Sequence, residues 1–423
     1  MKKSFLLVLA ALAPVAAPAA PVEVLFVGNS YTFARLDPVL SYNADNVTSL
    51  TSPERGGGYA DPESRNRYSP PPWGGVPGIV KKLTDQAGLD YEISLSTRQA
   101  ASLRGHFLNT NPDDWDLRSN IASKPWDKVI LQEQSDEPLP RVTNAFGNEL
   151  RSNPEYFTHF ADVIEDFVHS SDPTGTIRYR DAFPGASEDA RQAACADAGI
   201  SPVTCRRDRG SYANPNANPD ADLYLYQTWA RPNLVDGALE TEIDPETGAA
   251  IRTGGMSEET FFASLDEMTA LLANAYADAA DLAGQDGTGG FTGIAPVGEA
   301  FLSAVASGIA TRDFWGEDAL SDGLIDLWFE DGTHASPAGS YLSALTIFGT
   351  ITDLDPGMFG AGELAARDLG ISAETALLLQ GTASRQLGFT QPAIVPLPAT
   401  GGMLLLGVAG LGAVRRRRRT APA

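Results

Sequence analysis

Two short stretches of this 423-residue chain hold the residue types that nucleophilic catalysis needs. The first is Gly28-Asn29-Ser30-Tyr31-Thr32, which follows the apolar run Val22-Glu23-Val24-Leu25-Phe26-Val27. The second is Asp331-Gly332-Thr333-His334, which runs into Ser336-Pro337. A serine hydroxyl is a weak nucleophile and needs an adjacent base. Imidazole titrates near neutral pH and suits that task. The ring in turn needs an acceptor on its other nitrogen, to fix the tautomer and steady the imidazolium. Asp331 lies three residues before His334, so a single turn can join carboxylate and ring. The other histidines lack that setting: His159 and His169 lie on or beside a predicted helix, and His106 reads as a surface-helix residue.

These stretches need elements to carry them. The run ending at Val27 predicts a buried strand, and ligands of open parallel sheets bind beyond the carboxyl ends of strands. Further strands are predicted at Tyr91–Leu95, Lys128–Leu131, Leu223–Trp229 and Phe291–Pro296. Helices are predicted over 74–87, with Val76, Ile79, Val80 and Leu83 on one face, and over Phe157–His169. Others are expected at Ser257–Leu282 with Ser257 as cap, at Val297–Ser307, and from Ser336-Pro337 to about Ile351. Strands alternating with helices imply a parallel sheet covered on both faces. Residues 171–222, which hold Cys195, Cys205 and the run ANPNANPDAD, read as an irregular insertion. Trp229 reads as a strand-end packing residue, with a place in the substrate cleft as the alternative.

The strand-GNS-Tyr-Thr block and the DGTHxSxxG block resemble blocks one and five of the SGNH (GDSL-type) hydrolases. The resemblance implies a flavodoxin-like three-layer α/β/α sandwich with a mostly parallel sheet over about residues 22–390. It implies an ester hydrolase without metal or organic cofactor, with Ser30 as nucleophile, His334 as base and Asp331 as its orienting acid. The oxyanion would rest on the Ser30 N–H, an N–H of Ala100 or Ala101, and a side-chain amide. The chain departs from the family in the middle blocks. Asn29 stands where the name-giving motif has Asp, and the third-block strand ends Leu131-Gln132-Glu133-Gln134-Ser135-Asp136, without an Asn. Gln134 is the expected amide, being nearer the carboxyl end than Gln132. Such a strand is similar to that of a divergent branch of the superfamily. A small acyl ester or an acylated carbohydrate, such as an acetylated polysaccharide, is the expected substrate. The alternative is a non-catalytic cell-surface or exopolysaccharide matrix protein that keeps the fold.

The chain ends point to export. MKKSFLLVLAALAPVAAPAA has the cation-apolar-small order of a secretory signal peptide. Val395-Pro396-Leu397-Pro398-Ala399, an apolar run over 401–414 and Arg415–Arg419 resemble the VPLPA variant of the PEP-CTERM sorting signal. That resemblance implies a Gram-negative bacterium, and processing by a signal peptidase and an exosortase-type enzyme. It also implies transient membrane contact through a short transmembrane helix, and a periplasmic, surface or extracellular location. Lys plus Arg number 31 against 54 Asp plus Glu, a net charge of −23. Seven of the cations lie in these acid-free ends, so the body between them carries −30. So acidic a body repels nucleic acid and excludes it as a partner. In an oxidising compartment the two cysteines could close a small loop. Zinc is not expected with so few ligands. The alternation Asn214, Asn216, Asn218, Asp220, Asp222 lacks the Gly and Glu of a calcium-binding hand.

Overall fold

The structure is a computed structural model that describes residues 20–51, 71–108, 117–235, 240–243, 250–253, 260–316, 319 and 321–389. The main sheet has six strands: β1 (Val22–Gly28), β2 (Thr48–Ser49), β3 (Tyr91–Thr97), β4 (Lys128–Gln132), β5 (Asp222–Tyr226) and β6 (Gly293–Ala295). Their order is β2-β3-β1-β4-β5-β6, and every pairing is parallel. Without the two-residue edge strand β2 this is the flavodoxin-like order 2-1-3-4-5. Val24, Leu25, Phe26 and Val27 are fully buried, as expected of a central strand covered on both faces.

Two groups of helices cover the sheet. One contains α1 (Gly75–Gln86), α2 (Val297–Ala306), α3 (Pro337–Thr352) and, outside them, α4 (Ala373–Gln386). The other contains α5 (Leu103–Leu108), α6 (Pro154–His169) and α7 (Leu265–Ala283). The result is the three-layer α/β/α sandwich that the alternation of elements implies. A separate two-stranded antiparallel sheet pairs Glu240–Ile243 with Ala250–Thr253.

The long helix α7 corrects one expectation. The sequence suggests a start at Ser257, which lies outside the described residues, but residues 260–264 are not helical. Ser264 is the cap: its Oγ accepts from Glu267 N at 3.0 Å, and Glu267 Oε2 accepts from Ala263 N at 2.7 Å. Ser264 and Glu267 thus cap the helix from both sides of its first turn, about two turns further along than the Ser-Glu-Glu of 257–259. The insertion at 171–222 is also more regular than expected. It contains a helix at Glu188–Asp197 and a helical turn at Pro202–Cys205, and Cys195 is disulfide-bonded to Cys205. Its asparagines serve the fold. Asn214, Asn216 and Asn218 donate through Nδ2 to Phe167 O, Ala122 O and Trp126 O at 2.7–2.9 Å. Opening the disulfide by Cys195→Ser with Cys205→Ser should remove about 2–3 kcal/mol of local stability. Limited proteolysis should then nick the insertion faster, while the Ser30 site is unaffected.

The predicted signal peptide (but for Ala20) and the C-terminal sorting segment lie outside the described residues. Among the described residues no helix is long and apolar enough to cross a membrane.

Candidate active site

Strand register brings the site together. Gly28 pairs with Thr97, Leu131 pairs with Val27, and Gln132 pairs with Tyr226, which pairs with Ala295. The strands therefore end level, and the loops that follow them share one rim. β1 lies between β3 and β4, so the chain leaves it at the point where successive connections diverge to opposite sides, where such sheets bind ligands.

Ser30 opens a four-residue helical turn, Ser30–Phe33, capped by Asn29, whose Oδ1 accepts from Tyr31 N at 3.0 Å. Thr32 N and Phe33 N return to Asn29 O. Among the N–H groups of this turn, that of Ser30 is the one left for a ligand. Gln132 packs behind the turn: its Oε1 accepts from Asn29 N at 2.8 Å and from Thr32 Oγ1 at 3.0 Å. A Cβ on Gly28 would strike both Thr32 Oγ1 and Gln132 Oε1, so this close approach requires glycine. The Gln132 Nε2 donates to Glu133 O. Gln132 is fully buried, with both its oxygen and its amino group engaged, hence a scaffold amide. Gln132→Leu leaves the Asn29 N–H buried without a partner and should cost about 1–3 kcal/mol. The check is a lower urea midpoint at unchanged m value.

The base arrives from the other side. Phe329 N donates to His334 O at 2.7 Å and closes a tight loop over residues 329–334. Gly332 takes φ +61° there, and a Cβ would strike the Trp315 ring. Ser336 then caps α3, with Pro337 at its first position. His334 Nε2 lies 2.9 Å from Ser30 Oγ, and His334 Nδ1 lies 2.6 Å from Asp331 Oδ2. Asp331 Oδ1 accepts from Thr333 N and His334 N, each at 2.9 Å. The structure therefore brings Ser30, His334 and Asp331 into one hydrogen-bonded line across 304 positions of sequence.

Burial alone would raise the Asp331 carboxyl, but its hydrogen bonds and the His334 ring outweigh this and hold it at about 2. The folded value is below the ordinary 3.8, so the carboxylate stabilises the fold fully above that pH. That contribution is lost as pH falls toward about 2. The stability difference between the parent and Asp331→Asn should accordingly close over this acid window in pH-dependent unfolding.

Aromatic and polar neighbours brace both loops. Tyr31 stacks on Trp229 with ring centroids 4.2 Å apart and forms a T-shaped pair with the His334 ring at a centroid separation of 5.6 Å. Trp229 stacks in turn on Phe301 and donates from Nε1 to Thr333 O at 3.0 Å. It is fully buried, so its packing role stands and a place lining the cleft does not. Arg231 links the β4 loop to the histidine loop. Its Nη1 donates to Ser135 Oγ at 2.9 Å and pairs with Asp136, and its Nε donates to Asn233 Oδ1 at 3.1 Å. The same Asn233 oxygen accepts from Thr333 Oγ1 at 3.1 Å.

The expected oxyanion groups divide. Ala101 N donates to Arg98 O at 3.2 Å, which removes it as a donor and leaves Ala100. Ala100 is exposed and takes φ +53°, a conformation that L residues adopt sparingly. Asn29 Nδ2 donates to Ala101 O at 3.0 Å and ties this loop to the serine turn. Gln134 Oε1 accepts from Asp136 N at 2.9 Å and Glu137 N at 3.1 Å, so its amino group is the outer end of the amide. His106 is fully buried and not on the surface; burial pushes its imidazole down to about 3 and keeps it neutral.

No protein-family model matches the chain, and no curated protein does. Among solved structures it is similar to a proposed SGNH hydrolase from Slackia heliotrinireducens, at 16% identity and a TM-score of 0.36. That match covers 78% of this chain and 100% of the other. It is also similar to a DUF4886 family protein from Bacteroides uniformis, at 13% identity and a TM-score of 0.37, covering 89% of this chain and 98% of the other. At these scores neither likeness bears on the chemistry, which stands on the chain's own atoms.

Proposed function

We propose that this protein is a serine hydrolase acting on esters, with Ser30 as nucleophile, His334 as general base and then acid, and Asp331 as the orienting carboxylate. The observation that carries the reading is the unbroken line from Ser30 Oγ through both nitrogens of His334 to Asp331 Oδ2, at 2.9 and 2.6 Å. Ser30 Oγ attacks the ester carbonyl while Nε2 takes its proton. The charge that develops on the carbonyl oxygen meets the Ser30 N–H, the Ala100 N–H and the Gln134 amino group. His334 then protonates the leaving alcohol, and an acyl-serine remains. Water, deprotonated by the same ring, releases the acid and restores Ser30. Every step is carried by protein groups.

The substrate we favour is a small acyl ester, including acyl groups on carbohydrate, and we place the protein outside the cytoplasm. The targeting order of the first 20 residues and the VPLPA-like tail support the location. A binding-only matrix protein would leave this aligned line of groups without a use. The test is hydrolysis of a chromogenic short-chain ester by purified residues 22–390 beside the Ser30→Ala variant. Turnover by the parent alone supports the reading, and equal rates contradict it.

A further inference from the structure

One buried acid at the rim has no part in the proposed proton transfers. Glu133 follows β4 and is 1% exposed. Its Oε1 accepts from two backbone N–H groups on separate elements: Leu103 N at the start of α5, at 3.0 Å, and Gln134 N on the loop after β4, at 2.5 Å. Leu103 lies three residues beyond Ala100, and Gln134 is the amide residue itself. The helix start that follows the Ala100 loop and the loop that carries Gln134, the two sources of the proposed non-serine oxyanion donors, are thus fastened to one oxygen atom. The Ala100 loop has a second tie, from Asn29 Nδ2 to Ala101 O. Between these ties Ala100 holds its positive φ.

We propose that Glu133 is a positioning residue for the oxyanion site, a single acceptor that sets the separation of the Ala100 and Gln134 donors. The proposal rests on the serine-hydrolase reading of Ser30. What it requires of residue 133 is an acceptor oxygen at that point and not a charge. Burial, with Glu137 close by, pushes the Glu133 carboxyl well above the usual carboxylate range. The two N–H bonds and Arg104 act the other way and do not reverse it. A neutral carboxyl and a carboxamide have the same shape, so glutamine should serve in its place, whereas alanine removes the tie.

The experiment compares the parent, Glu133→Gln and Glu133→Ala for kcat and KM on a chromogenic ester. It also follows the rate and stoichiometry of fluorophosphonate labelling at Ser30. Glu133→Gln should keep kcat within about threefold. Glu133→Ala should lose about 10²-fold in kcat, the scale of one misplaced oxyanion donor, at little change in KM. Its labelling should be slower yet still reach one adduct per chain, at Ser30. Parental kcat in Glu133→Ala overturns the proposal, as does a loss in Glu133→Gln equal to that in Glu133→Ala. Should the alanine variant fail to fold, Glu133→Asp decides. Its shortened acceptor cannot span both N–H groups, so kcat should drop at least tenfold at constant KM, and parental kcat overturns the proposal. A parent that does not label at Ser30 overturns the hydrolase reading itself; a parent that labels while Glu133→Ala turns over normally overturns the proposal alone.

Discussion

Ser30→Ala should lower ester hydrolysis by about 10⁵-fold, with the fold and its stability nearly unchanged. The size of the loss follows from the nature of the interaction. Ser30 Oγ supplies the bond-forming atom, and the neighbouring donors can then act only on an uncatalysed attack by water. Residual activity should match that expected of the oxyanion donors and binding alone. Ser30 is 7% exposed and its side chain meets His334, so removing one oxygen leaves no large cavity. Its circular dichroism and melting temperature should overlay the parent's. His334→Ala should fall by a similar factor, and the double variant should lose no more than either single one. Residues that act as a unit are grossly non-additive, and additive losses would mean that serine and ring act separately.

Asp331→Asn should cost about 10⁴-fold in kcat, through the tautomer and not through the charge alone. Asp331 Oδ1 already accepts from the N–H groups of Thr333 and His334. In the variant the carboxamide oxygen keeps those two bonds, because only an oxygen can accept them. The NH₂ group must then face His334 Nδ1 and donate to it. A ring that accepts at Nδ1 carries its proton on Nε2, and a protonated Nε2 cannot receive the proton of Ser30. The variant should stay folded, bind substrate with a near-parental KM and turn it over slowly. A kcat within tenfold of the parent would show that Asp331 does not orient the ring.

The catalytic stretches are legible in sequence because each is local. Glycine, serine, aspartate and histidine lie within five-residue windows, and the elements around them carry clear apolar periods. What joins the two windows is legible only as the consequence of a parallel sheet whose strands end level. The supporting bonds are less visible, since they connect residues far apart in the chain. Asn29 meets Gln132 across 103 positions and Arg231 meets Asp136 across 95. Position along the strand favours Gln134 over Gln132 in the sequence, but that the Gln132 amide is already occupied shows only in the folded chain. Gln132 lies beside Gly28 and its oxygen is taken up by the serine turn, whereas Gln134 lies beyond the end of β4. Ala101 falls away as a donor for the same reason, since a turn back to Arg98 occupies its N–H. His106 escapes a sequence reading because short helices show little amphipathic contrast; Leu103–Leu108 is buried at both ends.

The central claim is that Ser30 is a nucleophile activated by His334. Mass spectrometry of the parent after exposure to a fluorophosphonate tests it most directly. One adduct per chain, located on Ser30 and formed far more slowly in His334→Ala, is the expected result. An unmodified Ser30 under conditions that label a known serine hydrolase, or an adduct placed on another residue, would contradict it.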